Sequence, residues 1–393
     1  MAQKQEEYVL AVDYGGTNGR FVLKSLLTSE ELAVSRAVAD YASVADILNE
    51  WLMPQQIRGL RQIVMATPQL APDGTIPNST NQHRARLNPG DLGDGLALPP
   101  IRYINDFGAI AECGSNINAL GLVGLNGQPC AVDTQSATQF FIVGPGTGVG
   151  SAEFYVKSST GEFAIRTCEG QHTHMPYDQG DREVMLQMEN DLRYKFLTYE
   201  QVCCGKGLVR LYNAVAAVHS DGKDPDPGLN EEGIIKCLYA GDTIADRAVG
   251  LWAKYLGKLT AGVMLYHHRS DDEVDARAIL ITGGVVPKII DAAPAHDRPA
   301  KMSSNFFQNS FVKPFRKGLG SLAQTNNPGL DAAFTVRLGA INIVLPTHEN
   351  PGLQGALTLA SRLAAQGGNA VGHAPAKPEG GTPQPGAPAP GAG

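Results

Sequence analysis

The chain has 393 residues, 43% of them apolar, and a formal net charge of −7. That length accommodates two domains around separate cores, and the negative balance argues against a surface built to hold nucleic acid or an anionic membrane. Six cysteines scattered without paired spacing, a start (MAQKQEEY) with no signal-peptide pattern and no apolar run of membrane-spanning length predict a soluble, reduced, cytoplasmic protein.

In chain order, VLAVDYGGTNGRFVL (from Val9) places an acid, two glycines and a threonine between two apolar runs. The pattern predicts a hairpin whose turn something approaches closely. Glycines explain a tight turn, but Asp13 at the end of a buried run is a carboxylate that needs a partner. SVADILNEWL reads as an amphipathic helix capped by Ser43 and closed by Pro54. RQIVMATP and IRYIND read as buried strands, so an α/β domain with a mixed sheet follows. The Pro-, Asn-, Asp- and Gly-rich stretch between them, about residues 68 to 99, is too long for an idle loop and is expected to border a site.

A second strand–turn–strand unit runs through QFFIVGPGTGVGSAEFYV and is followed by FAIRTCEG. Helical spacing then marks DREVMLQMENDLRYKF, GLVRLYNAVAAV and the segment from Asp242 to about Tyr266. ARAILITGG is a strand ending in paired glycines, and PGLQGALTLASRLAAQ is another amphipathic helix. From Gly367 the chain is almost entirely Gly, Pro and Ala, a composition with little to bury and an expected disordered tail, 367–393.

GPGTGVG is not a dinucleotide fingerprint: Val149 stands where G-x-G-x-x-G needs its last glycine, and a strand follows. No P-loop pattern exists either. What remains is two strand–turn–strand units, each with a threonine, Thr17 and Thr147, whose backbone amides and hydroxyls suit a polyphosphate. The two halves thus read as related domains.

The order DYGGTN, INDF, GTGVG, CEGQH, ITGGVVP and ENPGLQG resembles the bacterial-type glucokinases of the hexokinase, acetate kinase and actin superfamily, over about Val9 to Leu363. The resemblance implies a two-domain actin-like (ribonuclease H-like) α/β sugar kinase fold with a cleft between domains. It implies a small α/β domain at 1–110 plus 347–366, a large one at 111–346, and a homodimer. By the same resemblance ATP and Mg2+ are the cofactors. Asp13 organises the metal, with Gly15, Gly16, Thr17, Asn18, Thr147, Gly148, Gly283 and Gly284 lining the nucleotide.

Asn105 and Asp106 end a strand and begin a helix, where such residues usually serve as caps. Phosphoryl transfer to an alcohol calls for a carboxylate that takes the hydroxyl proton, and the resemblance gives that role to Asp106. It places glucose against Asn105, Asp106, Glu169, His172 and Glu200. The family has Gly-Gly-His where this chain has Gly170-Gln171-His172, a departure at the pocket edge. Glu200, early in a helix, also suits the helix dipole. His172 and His174 beside Glu169 raise zinc as an alternative, but the adjacent Cys203 and Cys204 lack the spacing of the cluster in related sugar kinases and repressors.

The reading is an ATP-dependent glucokinase making glucose 6-phosphate. Its alternatives are a kinase for another hexose (fructose, mannose or an acylated sugar) and a non-catalytic sugar-sensing regulator. The short lead before Val9 leaves no room for the helix-turn-helix such a regulator needs. The composition of the tail also sets a test. Deletion from Gly367 is expected to leave the melting temperature and turnover nearly unchanged, and a large loss of either would show that the tail docks on the fold.

Overall fold

The structure is a computed structural model. It describes residues 6–55, 57, 59–68, 86–88, 90–92, 99–132, 139–156, 160, 162–219, 228–267, 278–291, 308–321, 341–348 and 350–366. Most of the stretch from 68 to 99, and all of the tail from Gly367, lie outside the described residues. Two compact units make up the chain. One runs from Met1 to Ile104 and resumes at Leu359, and the other runs from Asn105 to Thr358.

In the first unit β1 (Tyr8–Tyr14), β2 (Asn18–Ser25) and β3 (Glu31–Ala37) form an antiparallel meander. β4 (Leu60–Thr67) lies parallel to β1, and with β5 (Ile101–Asn105) the sheet order is β3-β2-β1-β4-β5. Leu10, Val12, Tyr14, Phe21, Leu23 and Met65 bury one face of the sheet together with Ile47 and Leu48 of α1 (Val44–Leu52). Ser43 caps α1 reciprocally: the Asp46 amide donates to its hydroxyl, and its own amide donates to the Asp46 carboxylate at 2.8 Å.

The second unit holds a six-stranded sheet of β6 (Leu122–Gly124), β7 (Gln139–Pro145), β8 (Val149–Val156), β9 (Phe163–Cys168), β10 (Ala278–Ile281) and β11 (Asn342–Pro346), in the order β6-β11-β10-β7-β8-β9. β7, β8 and β9 are antiparallel in sequence, while β10 is parallel to β7 and to β11. Read from β9 to β11, this is the order of the first sheet repeated, with one extra edge strand. Both faces of β7 are covered. Phe141 and Val143 join a core with the helices, and Phe140 and Ile142 join a second core on the opposite face. That double burial is why FFIV, Phe140 to Val143, is a continuous apolar run instead of an alternating one.

The helices that build the larger core are α3 (Arg182–Leu192), α4 (Tyr199–Cys203), α5 (Gly205–His219), α6 (Glu231–Tyr239) and α7 (Thr243–His267). α8 (Val285–Asp291) and α9 (Lys313–Ser321) add to it. α2 (Asp106–Glu112) follows β5 directly, and α10 (Pro351–Ala365) follows β11. Gly355 of α10 approaches the Ala109 carbonyl of α2 so closely that a Cβ there would collide with it. Among the described residues no helix is long and apolar enough to cross a membrane.

Candidate active site

The turn between β1 and β2 places Asp13 opposite Arg20 in register, and Asp13 Oδ2 lies 3.0 Å from Arg20 Nη1. The carboxylate that needed a partner therefore has a guanidinium. Burial still raises the Asp13 carboxyl above the usual range, against the lowering effect of Arg20. Within the turn the Gly15 amide donates to the Asn18 carbonyl at 3.1 Å, and the Thr17 carbonyl accepts from Val38. Neither Gly15 nor Gly16 has a positive φ. A Cβ at Gly16 would meet nothing within 4 Å, so the fold itself does not demand glycine there. The bare backbone leaves open space above the turn.

In the second unit the corresponding turn, Gly146-Thr147-Gly148, is closed by the Gly146 amide donating to the Gly148 carbonyl at 2.7 Å. Thr147 is exposed. The Gly205 amide at the start of α5 donates to the Gly146 carbonyl at 2.9 Å, which ties the turn to that helix. Gly283, at φ +82°, holds a left-handed conformation that side chains rarely adopt, and a Cβ on it would strike the Pro145 carbonyl. It therefore brings the Thr282-Gly283-Gly284 turn against the β7–β8 turn, helped by the Thr282 amide donating to the Val143 carbonyl at 2.8 Å. At Gly284 a Cβ would meet nothing within 4 Å.

The start of α2 is clamped to the same hairpin. Asn105, not Asp106, is the cap: its Oδ1 accepts from the amides of Phe107 at 2.9 Å and Gly108 at 3.1 Å. Asn105 thus has its side-chain carbonyl committed to the cap. Asp106, the first residue of the helix, accepts from the Phe107 amide through Oδ1 at 2.9 Å. The Phe107 ring lies over Gly144 and Gly150, which face each other across the hairpin, and a Cβ at either would run into it. Gly108 packs on Thr167, near the end of β9. Asp106 is therefore fixed between the glycine hairpin and the strand that leads into Glu169.

Glu169, His172 and Glu200 come together. His172 Nε2 lies 3.3 Å from Glu169 Oε2, and its Nδ1 lies 3.1 Å from Glu200 Oε2. The Met175 amide donates to the Leu197 carbonyl at 2.8 Å, and a bridge between His174 and Thr198 carries the His172 turn to α4. Thr198 and Gln201 then form a capping box that sets Glu200 in the first turn of α4. Downstream, Lys254 and Lys258 of α7 pin Asp178 and Asp181, with Lys254 Nζ 2.6 Å from Asp181 Oδ2. Glu200 also touches the glycine turn, because a Cβ at Gly148 would come within 2.7 Å of Glu200 Oε1. The polar cluster and the glycine turn are thus contiguous. Each carboxylate keeps one oxygen, Glu169 Oε1 and Glu200 Oε1, without a hydrogen bond among the described residues.

Among the described residues no group of three or more His, Cys, Asp or Glu side chains is gathered for a metal. Asp13, a single carboxylate already paired with Arg20, is no metal site by itself, and a metal there would have to arrive with a nucleotide and take its other ligands from phosphate and water.

The glucokinase family model matches residues 10–308, well over half of the chain. The chain belongs to the glucokinase family. A glucokinase from Xanthomonas euvesicatoria pv. vesicatoria is 27% identical over 291 residues, covering 72% of this chain and 82% of that protein. Among solved structures, a Balamuthia mandrillaris glucokinase in complex with glucose superposes with a TM-score of 0.63 at 19% identity, covering 90% of this chain and 94% of that one. A ROK family glucokinase from Streptomyces griseus in complex with glucose and AMPPNP gives 0.53 at 16% identity, covering 90% and 99%. The fold is the two-domain actin-like fold of the sugar kinases, as the sequence motifs implied, and family membership makes the chain a sugar kinase.

Arg20 and Phe107 are the members of these sites that the sequence reading did not single out, and Gln171 stood out there only as a departure from the family pattern. Arg20 was legible in principle, since a hairpin closed at Gly15 to Asn18 puts position 20 opposite 13.

The glycines supply a test. Gly283→Ala forces a side chain into a strained φ and is expected to cost about 1–3 kcal/mol in urea unfolding. Gly284→Ala is expected to stay within about 0.5 kcal/mol of the parent. Equal effects would show that the two glycines are not divided between packing and open space.

Proposed function

We propose that the chain is an ATP-dependent glucokinase that transfers the γ-phosphoryl group to the 6-hydroxyl of D-glucose. The observation that carries this reading is the contiguity of two chemistries in one unit. The Glu169–His172–Glu200 cluster, suited to vicinal hydroxyls, lies directly against a glycine turn with open backbone, suited to phosphate. An alcohol held at the first and a phosphoryl group held at the second are reactants in proximity, the larger part of what this transfer needs. The glucose bound by the Balamuthia mandrillaris glucokinase, and the glucose and AMPPNP bound by the ROK family glucokinase of the same fold, support the choice of substrates.

Asp106 accepts the 6-hydroxyl proton as the sugar oxygen attacks the γ-phosphorus in line. The bond to the β,γ-bridging oxygen breaks, ADP leaves, and no phosphoenzyme forms. Asn105 donates its amide to a neighbouring sugar hydroxyl. In the second unit Gly146, Thr147, Gly148, Gly283 and Gly284 meet the nucleotide. Asp13 would hold a Mg2+ that arrives with ATP, and the ion would supply neutralisation of phosphate charge when bound.

Asp106→Asn is expected to lower kcat by about 10²–10⁴-fold while glucose still binds. A variant within a few-fold of the parent would remove Asp106 as the base. Glu169→Gln replaces an acceptor with a group that also carries donors. Its cost is expected in the KM for glucose, about 1.5–3 kcal/mol for a hydrogen bond to a charged group, with the KM for ATP nearly constant. A shift confined to the ATP constant would move Glu169 to the nucleotide side.

A further inference from the structure

Gln171 lies inside the Glu169–His172 turn and is 6% exposed. Its Nε2 donates to Glu169 Oε2 at 2.6 Å, the same oxygen that faces His172 Nε2 at 3.3 Å. Its own Oε1 is buried and has no hydrogen-bond partner among the described residues. A buried amide carbonyl left unpaired opposes folding, so the residue is not explained by stability. Nor does the amide gain by turning over, because its carbonyl would then face the Glu169 carboxylate. Orientation of the amide and orientation of the carboxylate fix one another.

We infer that Gln171 is a positioning residue for the substrate: it anchors Glu169 through Oε2 and so presents Oε1 as the one oxygen that accepts from a sugar hydroxyl. Glu169 is a largely exposed side chain, 69% accessible, and the imidazole contact alone leaves it a swivel about that contact. A second donor on the same oxygen removes the swivel. The substrate then loses less freedom on both sides when it binds, which is the physical content of preorganisation. The site selects sugars whose hydroxyl donates along one fixed direction, and the buried unpaired carbonyl of Gln171 is the stability that this selectivity costs. The inference rests on the assignment of Glu169 to the sugar.

The test compares the full chain with Gln171→Leu and Gln171→Met, which keep the bulk of the side chain and remove both the donor and the unpaired carbonyl. Melting temperature, glucose binding by calorimetry and steady-state constants for glucose and ATP are measured on each. The expected result is a melting temperature equal to or above that of the parent, a KM and a Kd for glucose raised roughly tenfold, and a KM for ATP that does not move. Gln171→Glu, which sets a second carboxylate against Glu169, is expected to weaken glucose further still. A melting temperature well below the parent's in both apolar variants, or glucose constants that do not change, would overturn the positioning role. If the parent itself neither binds nor phosphorylates glucose, the functional assignment falls, an outcome separate from failure of the variants alone.

Discussion

The polar cluster of the second unit is organised around one imidazole placed between two carboxylates. Glu169 follows β9 and Glu200 opens α4, and nothing in their own elements would bring two acidic side chains together in water. His172 stands between them, within 3.3 Å of one and 3.1 Å of the other, and the strand-like bridge from His174 to Thr198 carries the turn to the helix. An acceptor-rich surface forms next to Gly148, whose missing Cβ lets the Glu200 carboxylate approach the turn.

The two sheets share one plan, with a hairpin turn rich in glycine at the head of each, and yet the turns differ in charge. Counting back from the threonine in each turn, Asp13 in β1 corresponds to Val143 in β7. The carboxylate and its Arg20 partner belong to one turn alone. The metal chemistry proposed for the chain is accordingly placed at the first turn. The two sheets repeat a strand order, but their turns differ in length and only the first carries the acid.

Much of this was legible in the sequence because the elements that carry the turns are the most regularly patterned. β1, β2, β7 and β8 are apolar runs bounded by glycine, and α7 shows helical spacing over a long segment. β3 did not stand out, since none of its residues is buried and no apolar face marks it. β6 is too short for any period to show, and α9 begins with Lys313-Pro314, a pattern that does not advertise a helix. Capping explains the ambiguity at INDF: Asn and Asp are both good caps, and only the structure gives that task to Asn105 and leaves Asp106 one step inside the helix. Gln171 was visible as a departure from the family pattern, but its burial and its grip on Glu169 depend on how the turn folds back, which no local pattern encodes.

The central claim is that the polar cluster and the open glycine turn act together on a sugar and a nucleotide. The most direct measurement is phosphorus NMR of the full chain mixed with D-glucose, ATP and Mg2+. The account predicts that ATP is consumed with stoichiometric appearance of glucose 6-phosphate and ADP, and no inorganic phosphate beyond a trace. Binding of glucose with ATP left intact would contradict it and would make the chain a sugar-responsive regulator built on a kinase fold.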